Sequence, residues 1–141
     1  RYARSILGSA PEAEDATHDT LERLLMRRNE LGIYRNLDAF ALTALRNRCI
    51  DRLRTKHTTE RPSEALMGTT DEVERWSNRE LVRTAMAQLP LRQREVLHLK
   101  EIEGYATHEI AELLSIEENQ VRTILSRGRK ALREEVEKLI R

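Results

Sequence analysis

The 141-residue sequence has few of the residues that make turns and cross-links: five glycines, three prolines and one cysteine. So few turn-forming residues argue against a many-stranded β sandwich. The single cysteine, Cys49, excludes an intramolecular disulfide and fits a reducing compartment. Aromatic residues make up only 4% of the chain, so the core must consist mainly of Leu, Ile, Val and Ala. These scarcities predict an all-α protein.

Long apolar runs are also missing. No stretch approaches the ~20 residues of a membrane span, and the first ten residues lack the apolar stretch of a signal peptide. We therefore expect no membrane insertion and a cytoplasmic location. Arg1 is not an initiator methionine, so we expect the start of the protein to be missing or cut.

Net charge is nearly absent, because 25 basic and 24 acidic residues give a formal charge of +1. The charges are nevertheless sorted by position. Residues 10–22 hold five acids and no Lys or Arg, 46–56 have a balance of +4, 64–74 have −4, and 120–133 hold five bases and no acid. Two separated basic stretches on predicted helices indicate two contacts to a polyanion. Solvated helix faces would give the same pattern.

Apolar residues spaced by three and four predict a helix over 11–28 and a second one that ends at about Lys56. We expect Asp38 to help cap the second helix. The predicted apolar face of the first helix consists of Ala13, Leu21, Leu24 and Leu25. The stretch that follows Lys56 breaks the pattern and is acidic. The fold class is therefore predicted as two small helical domains, 1–57 and 76–141, joined by a flexible acidic linker at 58–75.

Residues 107–124, THEIAELLSIEENQVRTI, have the spacing of a helix-turn-helix. Thr107 is expected to cap the first helix, and Ser115 with Ile116 to make the turn. The predicted buried residues are Ile110, Ala111, Leu113, Leu114, Val121, Ile124 and Leu125. The second helix begins with Asn119, Gln120, Arg122 and Thr123, whose side chains suit base edges and phosphates. A helix over 120–133 would span ~21 Å, which fits a major groove. An ordinary pair of helices with a basic surface remains the alternative.

Two parts of the chain resemble the bacterial sigma-70 family of RNA polymerase sigma factors, in its extracytoplasmic-function (ECF) type. PEAEDATHDTLERLL and LDAFALTALRNRCIDRLRTK resemble the family's second region. LVRTAMAQLPLRQREVLHLKEIEGYATHEIAELLSIEENQVRTILSRGRKALREE resembles its fourth region. The resemblance implies that the chain binds core RNA polymerase and directs it to promoter DNA. The second region would bind polymerase and open the −10 element, and the fourth would recognise the −35 element through its helix-turn-helix.

Matching positions imply residue roles in the second region. The polymerase-binding surface would include Asp15, His18, Asp19, Arg23 and Leu24. The residues matched to −10 recognition are Tyr34, Asn36, Asp38, Phe40, Arg46, Asn47, Asp51 and Arg54. Among them, Phe40 would serve the core or the DNA. Arg46, with Arg48, Arg52 and Lys56 beside it, would hold phosphates.

In the fourth region, the resemblance assigns −35 reading to Arg122, Thr123, Ser126 and Arg127. DNA backbone contacts would come from Arg94, Thr107, Gln120, Arg129 and Lys130. The family also implies an anti-sigma factor that covers polymerase-binding surfaces.

The eighteen-residue linker, fully extended, would reach ~60 Å. That length is enough for two promoter elements ~50 Å apart.

Other classes of function fit less well. His108-Glu109 starts like a zinc protease motif, but Glu112 stands where that motif needs its second histidine. We therefore expect no catalytic site, no metal, no cofactor and no enzyme activity. The closer rival is a helix-turn-helix regulator that acts without joining the polymerase. It leaves the acidic helix and the first basic helix unexplained.

Overall fold

The computed structural model describes residues 1–30, 32, 36–59 and 78–140. All regular structure in these residues is helical, which confirms the predicted all-α class. The elements are α1 (Tyr2–Leu7), α2 (Ala10–Met26), α3 (Leu37–Thr59), α4 (Asn78–Ala87), α5 (Leu91–Leu97), a π-helical segment (His98–Ile102), α6 (Thr107–Leu114) and α7 (Glu118–Ile140).

The described residues form two compact units, as expected from the sequence. The first contains α2 and α3, and the second contains α4 to α7 together with Tyr2 and Arg4–Ile6 of α1. Tyr34 and residues 60–75 of the predicted linker lie outside the described residues.

Helix α2 packs against α3 in the first unit, and the buried residues of α2 are small. It begins at a Ser9 N-cap, whose Oγ accepts the Glu12 N–H at 3.5 Å. Its buried residues are Ala13, Ala16 and Thr20. The predicted leucine face is therefore wrong in part, because Leu21 is 51% exposed and Leu25 is 61% exposed. Small side chains let the two helix backbones approach closely, and the leucines are left on the outside.

The start and end of α3 differ from the prediction. Asn36, and not Asp38, is its cap: the Asn36 Oδ1 accepts the Ala39 N–H at 3.0 Å. Asp38 instead lies in the first helical turn. The helix continues to Thr59, three residues beyond the predicted end. Cys49 is fully buried, as expected of a small apolar side chain.

Helix α7 is the centre of the second unit and packs against α4, α5 and α6. The buried residues of this unit include Ala85, Met86, Leu89, Val96, Leu97, Leu99, Ile110, Leu114, Val121 and Leu125. Gly128 of α7 faces α5. A Cβ at this position would lie 3.2 Å from Leu97 Cδ1 and 3.5 Å from Gln93 Cβ. The side chains of α5 thus leave little room for a side chain at position 128 of α7.

The π-helical segment buries a polar side chain. Its wide turn is closed by the Glu103 N–H, which donates to the His98 carbonyl at 3.0 Å. His98 is 1% exposed, and its ring nitrogens lie 2.6 Å from Ser5 Oγ and 3.0 Å from Glu103 Oε1. Beside it, the Tyr2 hydroxyl donates to Glu95 Oε1 at 3.1 Å. Burial of these polar groups is tolerated because they are hydrogen-bonded.

Candidate nucleic-acid and polymerase-binding surfaces

The turn between α6 and α7 is a Schellman motif. The Ile116 N–H donates to the Ala111 carbonyl at 2.9 Å, and the Ser115 N–H donates to the Glu112 carbonyl at 3.3 Å. Ser115 has φ 57° and ψ 46°, in the left-handed region where a Cβ is unfavourable. Ile116 is half-buried. The predicted helix-turn-helix is present, and its turn carries local backbone strain at Ser115.

We expect the substitution Ser115→Gly to raise the free energy of unfolding by roughly 1 kcal/mol, since glycine relieves this strain. Chemical denaturation of the full chain measures the change. Ser115→Ala keeps the Cβ and is the matched control, for which we expect no gain. Equal stability of Ser115→Gly and the unmutated chain would contradict the strain argument.

A side chain from the first turn of each helix caps the N-terminal ends of α6 and α7. The Ala106 N–H donates to Glu109 Oε1 at 2.9 Å, and the Glu117 N–H donates to Gln120 Oε1 at 2.9 Å. The N-cap of α6 is Ala106, so the predicted cap at Thr107 is wrong, and Thr107 is the first helical residue. The Gln120 Oε1 is used by the hydrogen bond from the Glu117 N–H. The side-chain amide N–H groups of Gln120 are therefore its donors available to DNA.

Helix α7 buries one side and exposes the other. Val121, Leu125 and Gly128 lie on the buried side. The exposed residues include seven of those predicted to contact the −35 element: Gln120, Arg122, Thr123, Ser126, Arg127, Arg129 and Lys130. The amphipathic spacing thus brings these predicted contacts together on one exposed helix surface, which we call the α7 basic face.

The arginines of the α7 basic face differ in their partners. Arg122 donates through Nη1 to Asn119 Oδ1 at 3.0 Å and through Nη2 to Glu118 Oε2 at 3.1 Å. Arg129 donates through Nε to Glu101 Oε1 at 2.9 Å, and its Nη2 donates to the same oxygen. Among the described residues, no ion pair involves Arg127. Arg127 is therefore the arginine of this face whose donors are most available to a base.

Arg94 is half-buried and bonded to the protein backbone. Its Nη1 donates to the Ile6 carbonyl at 3.0 Å, at the C-terminal end of α1. Burial lowers the pKa of the Arg94 guanidinium, while the nearby Glu95 carboxylate opposes that shift. Thr107 is half-buried. The backbone contact predicted for Arg94 would use the guanidinium N–H groups that do not donate to the Ile6 carbonyl.

Acids of α2 meet arginines of α3 in the first unit. Asp19 Oδ2 accepts from Arg48 Nη2 at 2.7 Å and from Arg52 Nη2 at 2.9 Å. Asp15 Oδ2 accepts from Arg52 at 2.9 Å. The hydrogen bond from Arg48, followed by that from Arg52, holds the pKa of Asp19 below its usual value of 3.8. The predicted polymerase-binding acids therefore lie against two of the predicted phosphate-binding arginines.

This pairing predicts a pH dependence. Because the pKa of Asp19 is lower in the folded chain than in the unfolded chain, its stabilisation is present above that ordinary value and is lost as the pH falls through the folded value. We expect Asp19→Asn to lower stability at neutral pH and to make the acid side of the stability profile shallower. Thermal unfolding between about pH 7 and 2 measures this. Glu14→Gln, an exposed acid of the same helix, is the control, and identical acid slopes for Asp19→Asn and Glu14→Gln would contradict the prediction.

The residues predicted to contact the −10 element lie at the start and along the side of α3. Asn36 is the helix cap, and Asp38 is exposed in the first turn. Phe40 and Arg46 are half-buried, and Asn47 is exposed. Asp51 pairs with Arg54 at 3.5 Å, one turn later on the same helix. Tyr34 lies outside the described residues, so its predicted contact has no structural description.

An exposed apolar patch on α2 was missed by the sequence interpretation, which placed its leucines in the core. Leu21, Leu25 and Met26 are 51%, 61% and 86% exposed. His18 and Arg23, predicted to bind polymerase, are exposed on the same helix, and Leu24 is half-buried. We call Leu21, Leu25 and Met26 the α2 apolar patch. Clustered exposed apolar side chains of this kind mark protein-binding surfaces.

Among residues 1–30, 32, 36–59 and 78–140, no group of three or more His, Cys, Asp or Glu side chains is arranged to hold a metal ion. No described helix is long and apolar enough to cross a membrane.

Comparison with known proteins gives matches over both units. The family model of sigma-70 region 2 matches residues 1–59, and that of sigma-70 region 4 matches 79–132. The chain is 32% identical over 140 residues to the ECF RNA polymerase sigma factor SigL of Mycobacterium tuberculosis, in strains Erdman, CDC 1551 and H37Rv. That match covers 94% of this chain and 79% of SigL.

A solved structure shares the fold. The sigma factor RpoE from Bartonella quintana, co-crystallised with the anti-sigma factor NepR, superposes with a TM-score of 0.76 at 21% identity. The superposition covers 96% of this chain and 88% of that chain.

Proposed function

We propose the function of this chain from the premise that it belongs to the ECF group of the sigma-70 family of RNA polymerase sigma factors. It is a sigma factor that binds core RNA polymerase and directs promoter-specific transcription initiation. The observation that carries this conclusion is the presence of regions 2 and 4, in order, along a chain that is 32% identical to SigL.

Sigma factors are not enzymes, and we propose that this chain has no catalytic activity of its own and needs no metal or cofactor. Its place of action would be the cytoplasm, where polymerase meets promoter DNA. We keep the proposed domains 1–57 and 76–141, with the linker at 58–75, as the division between the −10 and −35 functions.

The α7 basic face is our proposed −35 reader. Arg122, Thr123, Ser126 and Arg127 would contact base edges, and Arg94, Thr107, Gln120, Arg129 and Lys130 would hold the backbone. The exposed positions of the four base readers support this assignment. The full α7 helix of 23 residues, ~35 Å long, is ample for a major groove and its flanking phosphates.

The start of α3 is our proposed −10 contact. Tyr34, Asn36, Asp38 and Phe40 would hold unpaired bases, because aromatic and short polar side chains stack on and hydrogen-bond to a flipped base. Arg46, Asn47, Asp51 and Arg54 would follow the strand along the helix. Exposure of Asn36, Asp38 and Asn47 supports the assignment.

Helix α2 is our proposed polymerase-binding surface. Asp15, His18, Asp19, Arg23 and Leu24 would contact the enzyme, and we add the α2 apolar patch to this surface. Asp15 and Asp19 also tie α2 to α3 through Arg48 and Arg52. These two acids would therefore act partly by fixing the orientation of α2. An anti-sigma factor that covers the same surface is a further proposed partner, in line with the NepR complex of the B. quintana protein.

The test is run-off transcription with purified core polymerase, the full chain and a library of promoter sequences. We expect initiation from a subset that shares −10 and −35 elements, with none by core enzyme alone. Co-purification with core polymerase separates this function from that of a helix-turn-helix regulator working by itself. Failure to bind core polymerase and to start RNA chains would overturn the proposal.

A further inference from the structure

The ion pair between Glu101 and Arg129 joins two parts of the second unit that are 28 residues apart in sequence. Glu101 lies on the π-helical segment, and Arg129 lies on the α7 basic face. Two guanidinium nitrogens of Arg129, Nε and Nη2, donate to the same carboxylate oxygen. The side edge of this guanidinium, which would grip a phosphate with two hydrogen bonds, is thus occupied.

The ion pair between Glu101 and Arg129 adds little to the stability of the fold. The side chains of Arg129 and Glu101 are 51% and 49% exposed, and such surface pairs contribute only about 0–1 kcal/mol. The position of the Glu101 carboxylate is also unfavourable for DNA binding. A carboxylate beside a cationic surface lowers the attraction of that surface for phosphates.

Other cations of the same face are not held in this way. Among the described residues, Arg127 and Lys130 take part in no ion pair. Arg122 pairs with Glu118, which belongs to the same helix and is one turn away. Glu101 is therefore a carboxylate that the fold brings from another element to one particular cation of the DNA-facing helix.

We propose that Glu101 restrains sequence-independent DNA binding by competing with phosphates for Arg129. This inference rests on the proposed role of α7 in DNA binding. Non-specific affinity comes almost entirely from phosphate contacts, and each neutralised phosphate contributes about 0.9 to the slope of log K against log salt. Occupation of Arg129 by Glu101 removes one such contact from any duplex that the chain meets. Glu101 does not touch the DNA and acts through Arg129, so it is a positioning residue.

The experiment compares the full chain with Glu101→Gln on a duplex that lacks both promoter elements, by fluorescence anisotropy over a salt series. We expect Glu101→Gln to bind roughly three- to tenfold more tightly at ~50 mM salt, with a salt slope steeper by about one. The slope is the readout that a purely structural role would not move. Glu112→Gln, an exposed acid of α6 that enters no ion pair within the described residues, removes the same charge and is the matched control.

A second background isolates the pair. In Arg129→Gln, the additional change Glu101→Gln is expected to alter neither affinity nor slope. The proposal is overturned by equal effects of Glu101→Gln and Glu112→Gln, by weaker DNA binding of Glu101→Gln, or by an undiminished effect in the Arg129→Gln background. Run-off transcription by the unmutated chain is measured in parallel. If the unmutated chain initiates transcription but Glu101→Gln leaves DNA affinity and salt slope unchanged, this inference alone is wrong. If the unmutated chain does not initiate transcription, the proposed function is wrong.

Discussion

Replacement of Arg127 by alanine is expected to cost ~1–3 kcal/mol of discrimination between a native and a mutated −35 element, roughly a 5- to 150-fold loss. Arg127 lies on the exposed side of α7 and enters no ion pair among the described residues. Its guanidinium can therefore bind a base edge without first giving up a protein partner. Run-off rates of the holoenzyme on paired native and mutated −35 templates measure the loss.

Lys130→Ala is the comparison for this experiment, because we assign Lys130 to the DNA backbone. It is expected to weaken binding to both templates equally and to reduce the salt slope by about one. Both substitutions lie at exposed positions, so the stability of the fold should change by no more than about 0.5 kcal/mol. If Arg127→Ala weakens native and mutated sites by the same factor, Arg127 is a backbone contact and the assignment is wrong.

Leu25→Glu is expected to weaken binding to core polymerase by roughly 2 kcal/mol or more, about thirtyfold. Leu25 is 61% exposed between two further exposed apolar residues, so its apolar surface is available to be buried by a partner. A carboxylate placed there would have to lose its hydration on binding. Titration of labelled core polymerase with the full chain measures the affinity.

The matched control is Leu25→Met, which keeps the apolar surface and is expected to bind polymerase like the unmutated chain. Glu, Met and Leu have similar helix propensities, and the side chain is mostly exposed. The unfolding temperature should therefore be the same for all three chains. Polymerase binding by Leu25→Glu that equals that of Leu25→Met would remove the α2 apolar patch from the interface.

Most of the secondary structure could be predicted because it depends on local periodicity. The residues predicted to be buried at the helix-turn-helix are mostly buried: Ile110, Ala111, Leu114, Val121 and Leu125 are buried, and Leu113 and Ile124 are half-buried. The caps were harder, because several capping residues stand near each helix start. Thr107 and Asp38 both have suitable side chains, yet the chain places its caps at Ala106 and Asn36. A shift of one or two residues at a helix start leaves the apolar spacing unchanged, so periodicity alone does not locate the cap.

The contacts of the candidate site depend on tertiary structure and were not predictable from local patterns. The sorted charges of α2 and α3 were visible in the sequence, and both segments were assigned to outside partners. The structure shows that Asp19 and Asp15 also bind Arg48 and Arg52 across the helix pair. The pairing of Glu101 with Arg129 spans 28 residues and follows from the packing of the second unit. The prediction for Leu21 and Leu25 is wrong because these leucines are exposed, while the smaller Ala13 and Ala16 of the same helix are buried.

The contact between Gly128 and Leu97 has a consequence for how promoter preference can evolve in this protein. A Cβ at Gly128 would lie only 3.2 Å from Leu97 Cδ1, so a side chain there requires Leu97 or α7 to move by a few tenths of an ångström. Groove readout tolerates little displacement, since hydrogen bonds to base edges depend on distance and angle. A buried substitution that moves α7 would therefore alter recognition while every residue that meets the DNA stays the same. Selection for new target sequences would then have a route through the hydrophobic interior.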